Sequence, residues 1–551
     1  MKTLNFSILL LSAIFVLFAS NLHAQQVTQQ WARTFDFNGQ NNKSDAANGM
    51  AVNSNGDVYV TGYTFGSANP NGTIITVKYN SGGTLIWSRT YSDTNLYASS
   101  ANAIALDNSG NIYVAGWRTL QNDYRDMVLL KYNSSGTLLW KKSYNGIGNV
   151  ADEALVIKVD NNYVYIAGYT YNQYGSQDFA TLKYSLGGSF IWAKTYGSLF
   201  NPDVVRGIDT DPFGNVYVTG EFYGGSTQYD YAAIKYLPDG TQAWVVTYDF
   251  NDSYDKAAAI DVDEQGNVYV TGGSYNQSSM DYATIKYNTS GQLQWAKRYD
   301  GPDGGNDEAS SIAVDDNGNV FVTGYSNSNA TGPDYFTIKY NGQGNTLWTK
   351  RYNGNSSSYG DFATKVNLDT TGNAYVTGYA YYGTGRYHDF TTIKYDKSTG
   401  VQDWIMSYDY NGLYEYPNAL CVDESGSVYV AGSVMFSTNN TNIGVVKYSQ
   451  PMILGVNNQN NQLANDFRLE QNYPNPFNPS TIIRFNMPEA GNVKISVFDI
   501  SGKLVSTLVN GYKNAGSYEL NFNASKLASG TYFYRMETKG YTEVKKMMLV
   551  K

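Results

Sequence analysis

Short runs of apolar and β-branched residues, each closed by a turn signal, follow one another along most of the chain. One stretch shows the pattern four times, and its predicted strands are Ala258–Asp263, Asn267–Gly272, Tyr282–Tyr287 and Trp295–Tyr299. An Asp-x-x-Gly-Asn turn joins the first two and an Asn-x-x-Gly turn joins the last two. Glycine there supplies the positive φ of a tight hairpin. The pattern therefore predicts a four-stranded antiparallel meander.

This unit recurs eight times, with spacings of 52 to 54 residues between its marker glycines. Those glycines are Gly62, Gly116, Gly168, Gly220, Gly272, Gly324, Gly378 and Gly432. A tryptophan keeps the same period at Trp31, Trp87, Trp140, Trp192, Trp244, Trp295, Trp348 and Trp404. A sheet of this size cannot cover its own faces, so the units must stack on one another to gain a core.

The two ends of the repeat array are complementary. Trp31–Phe35 has the pattern of a fourth strand with no third strand before it, whereas the eighth unit stops after Lys447 and Tyr448 with no fourth strand following. The first segment can therefore complete the last unit. The sequence predicts an all-β fold, an eight-bladed β-propeller of four-stranded blades closed by the N-terminal strand, with the eight tryptophans packed between blades.

The repeat resembles the bacterial β-propeller repeat family, often labelled seven-bladed. The stretch Asp307–Gly324 is closest to the family pattern, and the similarity covers about residues 31–448. The resemblance implies a fold and no particular activity, and the eight copies depart from the family label.

The ends of the chain outside the repeats have other compositions. Lys2 and the apolar run Phe6–Phe18 predict a signal peptide, residues 1–24, cleaved after Ala24. The predicted propeller is 25–450, and an Asn/Gln-rich linker follows at 451–466. No later stretch has the roughly 20 apolar residues of a transmembrane helix.

Residues 467–551 lose the 52-residue period. Alternating residues predict strands at Thr481–Asn486, Asn492–Asp499, Tyr518–Phe522 and Thr531–Glu537. Their number and length are typical of a small immunoglobulin-like β-sandwich.

This tail resembles the type IX secretion system C-terminal sorting domain of Bacteroidetes-type Gram-negative bacteria. The motif residues, followed by a basic and apolar terminus, are Tyr473, Pro474, Asn475, Pro476, Gly530, Tyr532 and Arg535. The resemblance implies contact with the type IX secretion machinery and export across both membranes. The destination is then the extracellular space or the outer cell surface, with the tail usually removed.

Composition excludes several function classes. Only 15% of the 551 residues are charged and the net charge is −9, so the chain lacks the positive field that nucleic acid requires. One cysteine and two histidines supply neither an intramolecular disulfide nor a Cys/His zinc site. The Asp-x-x-Gly-Asn turns lack the ligand pattern of an EF-hand and are interpreted as hairpins. We expect no cofactor and no metal.

In a propeller, the second-to-third-strand loops and the loops between blades share one face, and here they are long. A repeated aspartate in these loops is interpreted as structural because it recurs, at Asp126, Asp178, Asp230, Asp281, Asp334 and Asp389. Residues that do not recur are the candidate ligand-binding set: Trp117, Tyr171, Tyr174, Tyr223, Tyr381, Tyr382, Arg386 and His388. Rigid aromatic side chains of this kind suit a glycan or protein ligand.

The sequence thus predicts a secreted or surface-displayed binding or adhesion protein, with no catalytic residue assigned. Two alternatives stay open. One is a carbohydrate-active enzyme, either a glycoside hydrolase that uses loop carboxylates or a uronate lyase that uses Arg386, Tyr387 and His388. The other is a structural component of the cell surface.

Overall fold

The computed structural model describes residues 27–37, 44–65, 71–121, 123–147, 150–225, 228–354, 359–383, 385–437, 440–450, 467–488, 491–513, 516–525 and 527–551. All regular elements in these ranges are β-strands, so no apolar helix of membrane-spanning length occurs there. The chain divides into two compact units, Met1–Gln450 and Pro451–Lys551. The predicted signal peptide and linker lie outside the described residues.

The first unit contains 32 strands in the described part of the chain. They are β1 (Thr28–Phe35), β2 (Asp45–Val52), β3 (Val58–Thr64), β4 (Thr73–Tyr79), β5 (Leu85–Thr90), β6 (Leu96–Leu106), β7 (Ile112–Leu120), β8 (Arg125–Tyr132), β9 (Leu138–Tyr144), β10 (Glu153–Val159), β11 (Tyr163–Tyr171), β12 (Gln177–Ser185), β13 (Phe190–Tyr196), β14 (Val204–Thr210), β15 (Val216–Gly225), β16 (Gln228–Tyr236), β17 (Gln242–Tyr248), β18 (Asp255–Val262), β19 (Val268–Tyr275), β20 (Met280–Tyr287), β21 (Leu293–Tyr299), β22 (Asp307–Val314), β23 (Val320–Ser328), β24 (Gly332–Tyr340), β25 (Thr346–Tyr352), β26 (Phe362–Leu368), β27 (Ala374–Tyr381), β28 (His388–Tyr395), β29 (Gln402–Tyr408), β30 (Glu415–Val422), β31 (Val428–Ser437) and β32 (Asn440–Ser449).

These strands form four-stranded antiparallel sheets, as in a β-propeller. Sheets 1 to 7 each take four consecutive strands, beginning with β2–β5 and ending with β26–β29. Sheet 8 has the order β1-β32-β31-β30, so its fourth strand comes from the start of the chain. Trp31 of β1 lies opposite Lys447 of β32, which is the pairing expected from the lone fourth-strand pattern of that segment.

The strands follow the sequence pattern closely, and their ends differ by a few residues. In sheet 5 the predicted strand Ala258–Asp263 is β18, Asp255–Val262. The marker glycine of each second strand is required by a close approach: a Cβ at Gly220 would lie 2.0 Å from the carbonyl oxygen of Val204. A bulge in the first strand, between Val205 and Gly207, accompanies this approach.

The repeated tryptophans pack between neighbouring sheets, as predicted. Trp87, for example, is 7% exposed, and its indole Nε1 donates to the carbonyl of Ser134 in the next sheet at 3.1 Å. The Trp31 indole makes the equivalent bond to Ser81 at 3.0 Å, from sheet 8 to sheet 1. Each buried aromatic removes a large apolar area from water, about 1.5–3 kcal/mol if fully buried.

A second series of bonds joins the first strands of neighbouring sheets. Asn48, in the bulge of β2, donates to the carbonyl of Ala101 in sheet 2 at 2.7 Å. Thr364 in sheet 7 donates to Pro417 in sheet 8 at 3.1 Å. Asn418 of sheet 8 then donates to Ala47 of sheet 1 at 2.7 Å. Sheets 8 and 1 are therefore in direct contact through a tryptophan bond and through a bond between their first strands.

The second unit contains β33 (Arg468–Leu469), β34 (Ser480–Met487), β35 (Gly491–Asp499), β36 (Leu504–Lys513), β37 (Gly516–Asn523), β38 (Gly530–Thr538) and β39 (Tyr541–Leu549). Two antiparallel sheets, β33-β34-β37 and β36-β35-β38-β39, share one apolar core. The sequence analysis found β34, β35, β37 and β38 and missed the other three strands. The strand β39 was interpreted as a basic and apolar terminus because consecutive Lys545 and Lys546 hide the alternation that continues into buried Met547 and Leu549.

Candidate ligand-binding face

In the first unit, buried acids at the start of the first strands hold the long loops. Asp203 accepts the N–H of Ser198, in the loop from sheet 3, at 2.5 Å and the N–H of Tyr223, in the second strand, at 2.7 Å. Asp361 does the same for Gly354 and Tyr381, at 2.6 and 2.7 Å. Burial raises the pKa of Asp203 and that of Asp361 to about 6. These anchor acids are Asp45, Asp152, Asp203, Asp255, Asp307, Asp361 and Glu415.

The sequence predicts that the third-strand aspartates anchor the long loops. In the structure these aspartates contact the fourth strand and the loop between the second and third strands. Asp281 accepts from Arg298 of the fourth strand at 2.7 Å and from Asn276 of the loop at 2.9 Å. Asp334 accepts from Arg351 at 2.9 Å. This series ties the second-to-third-strand loop to the fourth strand. The anchor acids were missed although their period in the sequence is equally regular.

Tyr171 and Tyr174 line a groove of about 280 Å³ at the loop end of sheet 3. Asp178 is also in its wall and accepts from Asn172 at 2.9 Å, and burial raises the pKa of Asp178. Tyr174 is exposed and meets the ring of Phe200 edge-on at 5.2 Å. The groove can accept a small polar ligand with an aromatic edge for contact.

Trp117 and Tyr223 stand apart from that groove. The guanidinium of Arg125 covers the Trp117 ring at 4.1 Å and also pairs with Glu153 at 2.9 Å. Tyr223 packs edge-on against Tyr229 at 5.4 Å. One face of Trp117 is therefore already occupied by a side chain of the same protein.

The loop end of sheets 7 and 8 brings Tyr381, Tyr382, Arg386 and His388 together. The rings of Tyr381 and His388 are 5.4 Å apart, and Arg386 lies over Tyr382 at 4.7 Å. Tyr381 is buried, with 4% of its surface exposed. The imidazole Nε2 of His388 bonds the carbonyl of Gly360 at 3.0 Å, and burial lowers the His388 pKa.

Four further tyrosines complete this group and present it to solvent. Tyr359 stacks on Tyr381 at 4.2 Å, and Tyr414 stacks on Tyr387 at 4.8 Å. Tyr359 is 54% exposed and Tyr416 is 38% exposed. We call Tyr359, Tyr387, Tyr414 and Tyr416 the aromatic patch. The sequence predicts a long loop between the blades at this point but does not single out Tyr359.

Arg386 is engaged by carboxylates below the aromatic patch. Its guanidinium pairs with Asp389 and, at 3.4 Å, with Asp409. Glu415 is the third carboxylate of this group. Burial and the neighbouring carboxylates raise the pKa of Glu415 to about 9, and burial raises that of Asp389 to about 7. The positive charge that a uronate lyase would need for its substrate is therefore shared with two protein carboxylates.

In the second unit, the Tyr473–Pro476 motif is fastened to the last strand. Asn475 accepts the N–H of Met548 at 2.9 Å, and Phe477 and Met548 bond through their backbones at 2.9 Å. Thr481 donates to the carbonyl of Pro474 at 2.8 Å. Tyr473 itself is exposed.

The remaining motif residues lie on β38. Tyr532 is buried and donates to the carbonyl of Ala528 at 2.8 Å. Arg535 lies over the ring of Phe498 at 4.8 Å and pairs with Glu537 at 3.1 Å. Gly530 begins the strand. The motif residues thus connect the two ends of the second unit.

Three protein families match parts of the chain. Residues 471–551 match the secretion system C-terminal sorting domain, residues 294–329 match the β-propeller repeat, and residues 108–138 match a β-propeller domain of unknown function. No curated protein matches the chain.

Solved structures with a similar arrangement are remote in sequence. PorZ, a surface component of the type IX secretion system of Porphyromonas gingivalis, is 12% identical with a TM-score of 0.37, covering 91% of this chain and 74% of PorZ. The polysaccharide lyase Uly1 is 12% identical with a TM-score of 0.40, over 73% of this chain and 89% of the lyase. The β-propeller domain of the Trilobed protease from Pyrococcus furiosus is 11% identical with a TM-score of 0.36, over 70% and 98%.

Proposed function

Because the chain is a β-propeller-repeat protein whose C-terminal sorting domain directs it to the cell surface or the extracellular space, we propose that it binds an extracellular glycan or protein. The type IX secretion machinery is its partner during export. Binding is favoured over catalysis because Tyr359 and Tyr416 of the aromatic patch are exposed, while Arg386 beneath it is paired with Asp389 and Asp409.

The proposal includes a closed ring of eight blades. Three contacts between sheets 8 and 1 support it: β1 completes sheet 8, the Trp31 indole reaches Ser81, and Asn418 reaches Ala47. In such a ring the long loops of all blades share one face. The groove of sheet 3 and the aromatic patch of sheets 7 and 8 then open on that face.

The aromatic patch is the favoured binding surface. Stacked tyrosines offer flat, rigid contact area that loses little side-chain entropy on binding, which suits the apolar face of a sugar ring or a protein loop. Tyr359 and Tyr416 are the two most exposed members, and Tyr381 supports Tyr359 from below. The observation that carries the proposal is this exposed stack, assembled from loops of two neighbouring sheets.

The test is a glycan array and a panel of extracellular proteins probed with the purified chain, followed by the double variant Tyr359→Ala and Tyr416→Ala. We expect the double variant to lose at least about tenfold in affinity, which corresponds to about 1.4 kcal/mol. Binding would be measured by surface plasmon resonance against the strongest hit of the array.

Tyr124→Ala is the matched control, because Tyr124 is 59% exposed and lies outside the patch. It should bind like the wild type. Equal affinity of the double variant and the control would reject the patch. Absence of any saturable binder would favour a purely structural role at the surface.

A further inference from the structure

Three carboxylates converge where sheet 7 meets sheet 8. Asp389 is the second residue of the third strand of sheet 7, Asp409 follows the fourth strand of that sheet, and Glu415 begins the first strand of sheet 8. One oxygen of each lies within 4.8 Å of the others. Calcium holds oxygen ligands at about 2.4 Å, so two of its ligands can be up to about 4.8 Å apart. The spacing therefore fits three oxygens around one ion.

Glu415 supplies an independent reason to expect a ligand. It is completely buried, and neither of its carboxylate oxygens accepts a hydrogen bond of normal geometry among the described residues, although the N–H of Tyr410 lies near enough to lower its pKa. The Oδ1 of buried Asp389 is also without a donor. A buried carboxylate that lacks partners is strongly disfavoured unless a cation or a proton compensates it.

Comparison with Asp203 and Asp361 shows which backbone donor Glu415 lacks. Asp203 and Asp361 are each held by a backbone N–H from the second strand of the same sheet. In sheet 8 the corresponding N–H, of Met435, bonds instead to the carbonyl of Tyr414 at 2.9 Å. Glu415 is the one glutamate in the series, and its extra methylene extends it toward Asp389 and Asp409.

The charge of the ionised group also suits a cation, which would take the place of the protons on these acids. Three carboxylates and the single guanidinium of Arg386 give a formal charge of −3 + 1 = −2 when all are ionised. A divalent ion would neutralise that charge. All three side chains are hard oxygen donors, which suit calcium or magnesium better than a thiophilic metal. Calcium tolerates irregular oxygen cages, whereas magnesium demands a near-ideal octahedron.

Two related acid groups lack this combination. In the group of Asp281, Asp300 and Asp307, Asp281 accepts from Arg298 and Asp307 accepts the N–H groups of Gly301 and Asn327. In the group of Asp230, Asp249 and Asp255, the anchor acid Asp255 accepts the N–H of Phe250 at 2.7 Å. Asp307 is therefore held by two backbone donors and Asp255 by one, whereas Glu415 has no backbone donor of normal geometry among the described residues.

We propose that Asp389, Asp409 and Glu415 bind a calcium ion between sheets 7 and 8. The ion connects the start of sheet 8 to the loop that follows β29, and this loop carries Tyr414 of the aromatic patch. Asp409 is the most exposed of the three, so the ion enters from its side. Calcium here is a structural ion that holds the loop, and its binding does not depend on the proposed ligand.

The test is calcium chloride added to the full chain after treatment with a chelator. Extracellular calcium modules have dissociation constants on the order of 10⁻⁴–10⁻³ M, so about 5 mM calcium should saturate the site. We expect calcium to raise the thermal midpoint of the wild type and to give a saturable heat in calorimetry. Terbium should bind the same site and luminesce on tyrosine excitation.

Glu415→Gln should weaken calcium affinity at least about tenfold, the minimum seen even when an outer-shell partner of a metal ligand is removed. Asp409→Asn, at the half-exposed ligand, is the second variant in case Glu415→Gln does not fold. Glu424→Gln is the control, because Glu424 is exposed in the first hairpin turn of sheet 8. It should bind calcium like the wild type.

Two results would overturn the proposal. One is a wild-type protein whose midpoint is equal in calcium and in chelator and which gives no binding heat. The other is a folded Glu415→Gln or Asp409→Asn variant with undiminished calcium affinity, which would locate the ion elsewhere. Neither result bears on ligand binding by the aromatic patch in the glycan and protein screen.

Discussion

At the scale of single residues, repetition separates two kinds of side chain. The tryptophan of each repeat fills the same space between sheets, so the interaction of Trp87 with Ser134 recurs at Trp31 and Ser81. Glu415 shows the opposite case, since it occupies a repeated position but lacks the hydrogen bonds of normal geometry that hold Asp203 and Asp361. A residue that departs from the repeat therefore says more about function than one that conforms to it.

Trp31→Ala should lower the free energy of unfolding by about 3–5 kcal/mol, the usual cost of removing a large buried aromatic. Trp31 is 6% exposed and packs near Tyr79 and Tyr429, with ring centroids 6.2 and 6.5 Å away. Urea unfolding of the purified chain measures the change. Phe213→Ala, at an aromatic that is 71% exposed, should change it by no more than about 0.5 kcal/mol. Equal effects would show that Trp31 does not join sheets 8 and 1.

At the scale of elements, the first strand of every sheet except sheet 2 organises the loops of its neighbours. Its anchor acid takes one N–H from the preceding sheet-to-sheet loop and, in most sheets, one from the second strand. Burial makes the charged form of these acids costly although it is hydrogen-bonded. The pKa values of Asp203, Asp255 and Asp361 are each raised to about 6, from an ordinary value of 3.8.

The thermal midpoint should therefore rise as the pH is lowered from 7.5 to 5. An acid whose pKa is higher in the folded state contributes stability when it is protonated, and loses it as the pH rises from about 4 through about 6. Burial lowers the pKa of His388, so this side chain acts in the opposite direction. It is a single group, whereas at least three aspartates act together. Scanning calorimetry across the pH range measures the slope.

Asp203→Asn should flatten that slope, because one of the titrating groups is removed. Asp239→Asn is the control, since Asp239 lies in an exposed turn and its pKa is lowered by the N–H of Thr241. It should leave the slope unchanged between pH 5 and 7.5. A wild-type midpoint that falls steadily from pH 7.5 to 5 would contradict the assignment.

The scaffold could be predicted from the sequence because it repeats. Gly220 and Trp87 stand at positions whose spacing alone reveals the strands and the contacts between sheets. The aromatic patch could not be predicted, because Tyr359 and Tyr414 belong to loops whose conformations do not repeat from one unit to the next. Glu415 left a readable signal, a glutamate where the other acids of its series are aspartates, but its meaning depends on distances to Asp389 and Asp409.

At the scale of the whole molecule, export depends on a compact unit of its own. Residues 451–551 form a separate unit, and the sorting motif around Asn475 is bonded to its last strand. A chain that lacks residues 471–551 should therefore remain in the periplasm of its Gram-negative host, whereas the wild type should reach the surface or the medium. Cell fractionation followed by immunoblotting distinguishes the compartments.

Replacing residues 455–460 with a Gly/Ser segment of equal length is the control for that truncation, because these residues belong to the predicted linker and precede residues 471–551. It should be exported like the wild type. A fusion of residues 467–551 to a periplasmic reporter should also be exported. Efficient export of the truncated chain would show that the first unit carries its own export signal.

The pairing of β1 with β32 has a consequence for the timing of folding. Thr28 lies opposite Ser449, so these partners are 421 residues apart in the chain. A nascent polypeptide must therefore be almost wholly translated before sheet 8 can gain its fourth strand, and closing so long a loop is entropically costly. Until then β1 has no partner strand, and its unpaired backbone groups are open to other strands.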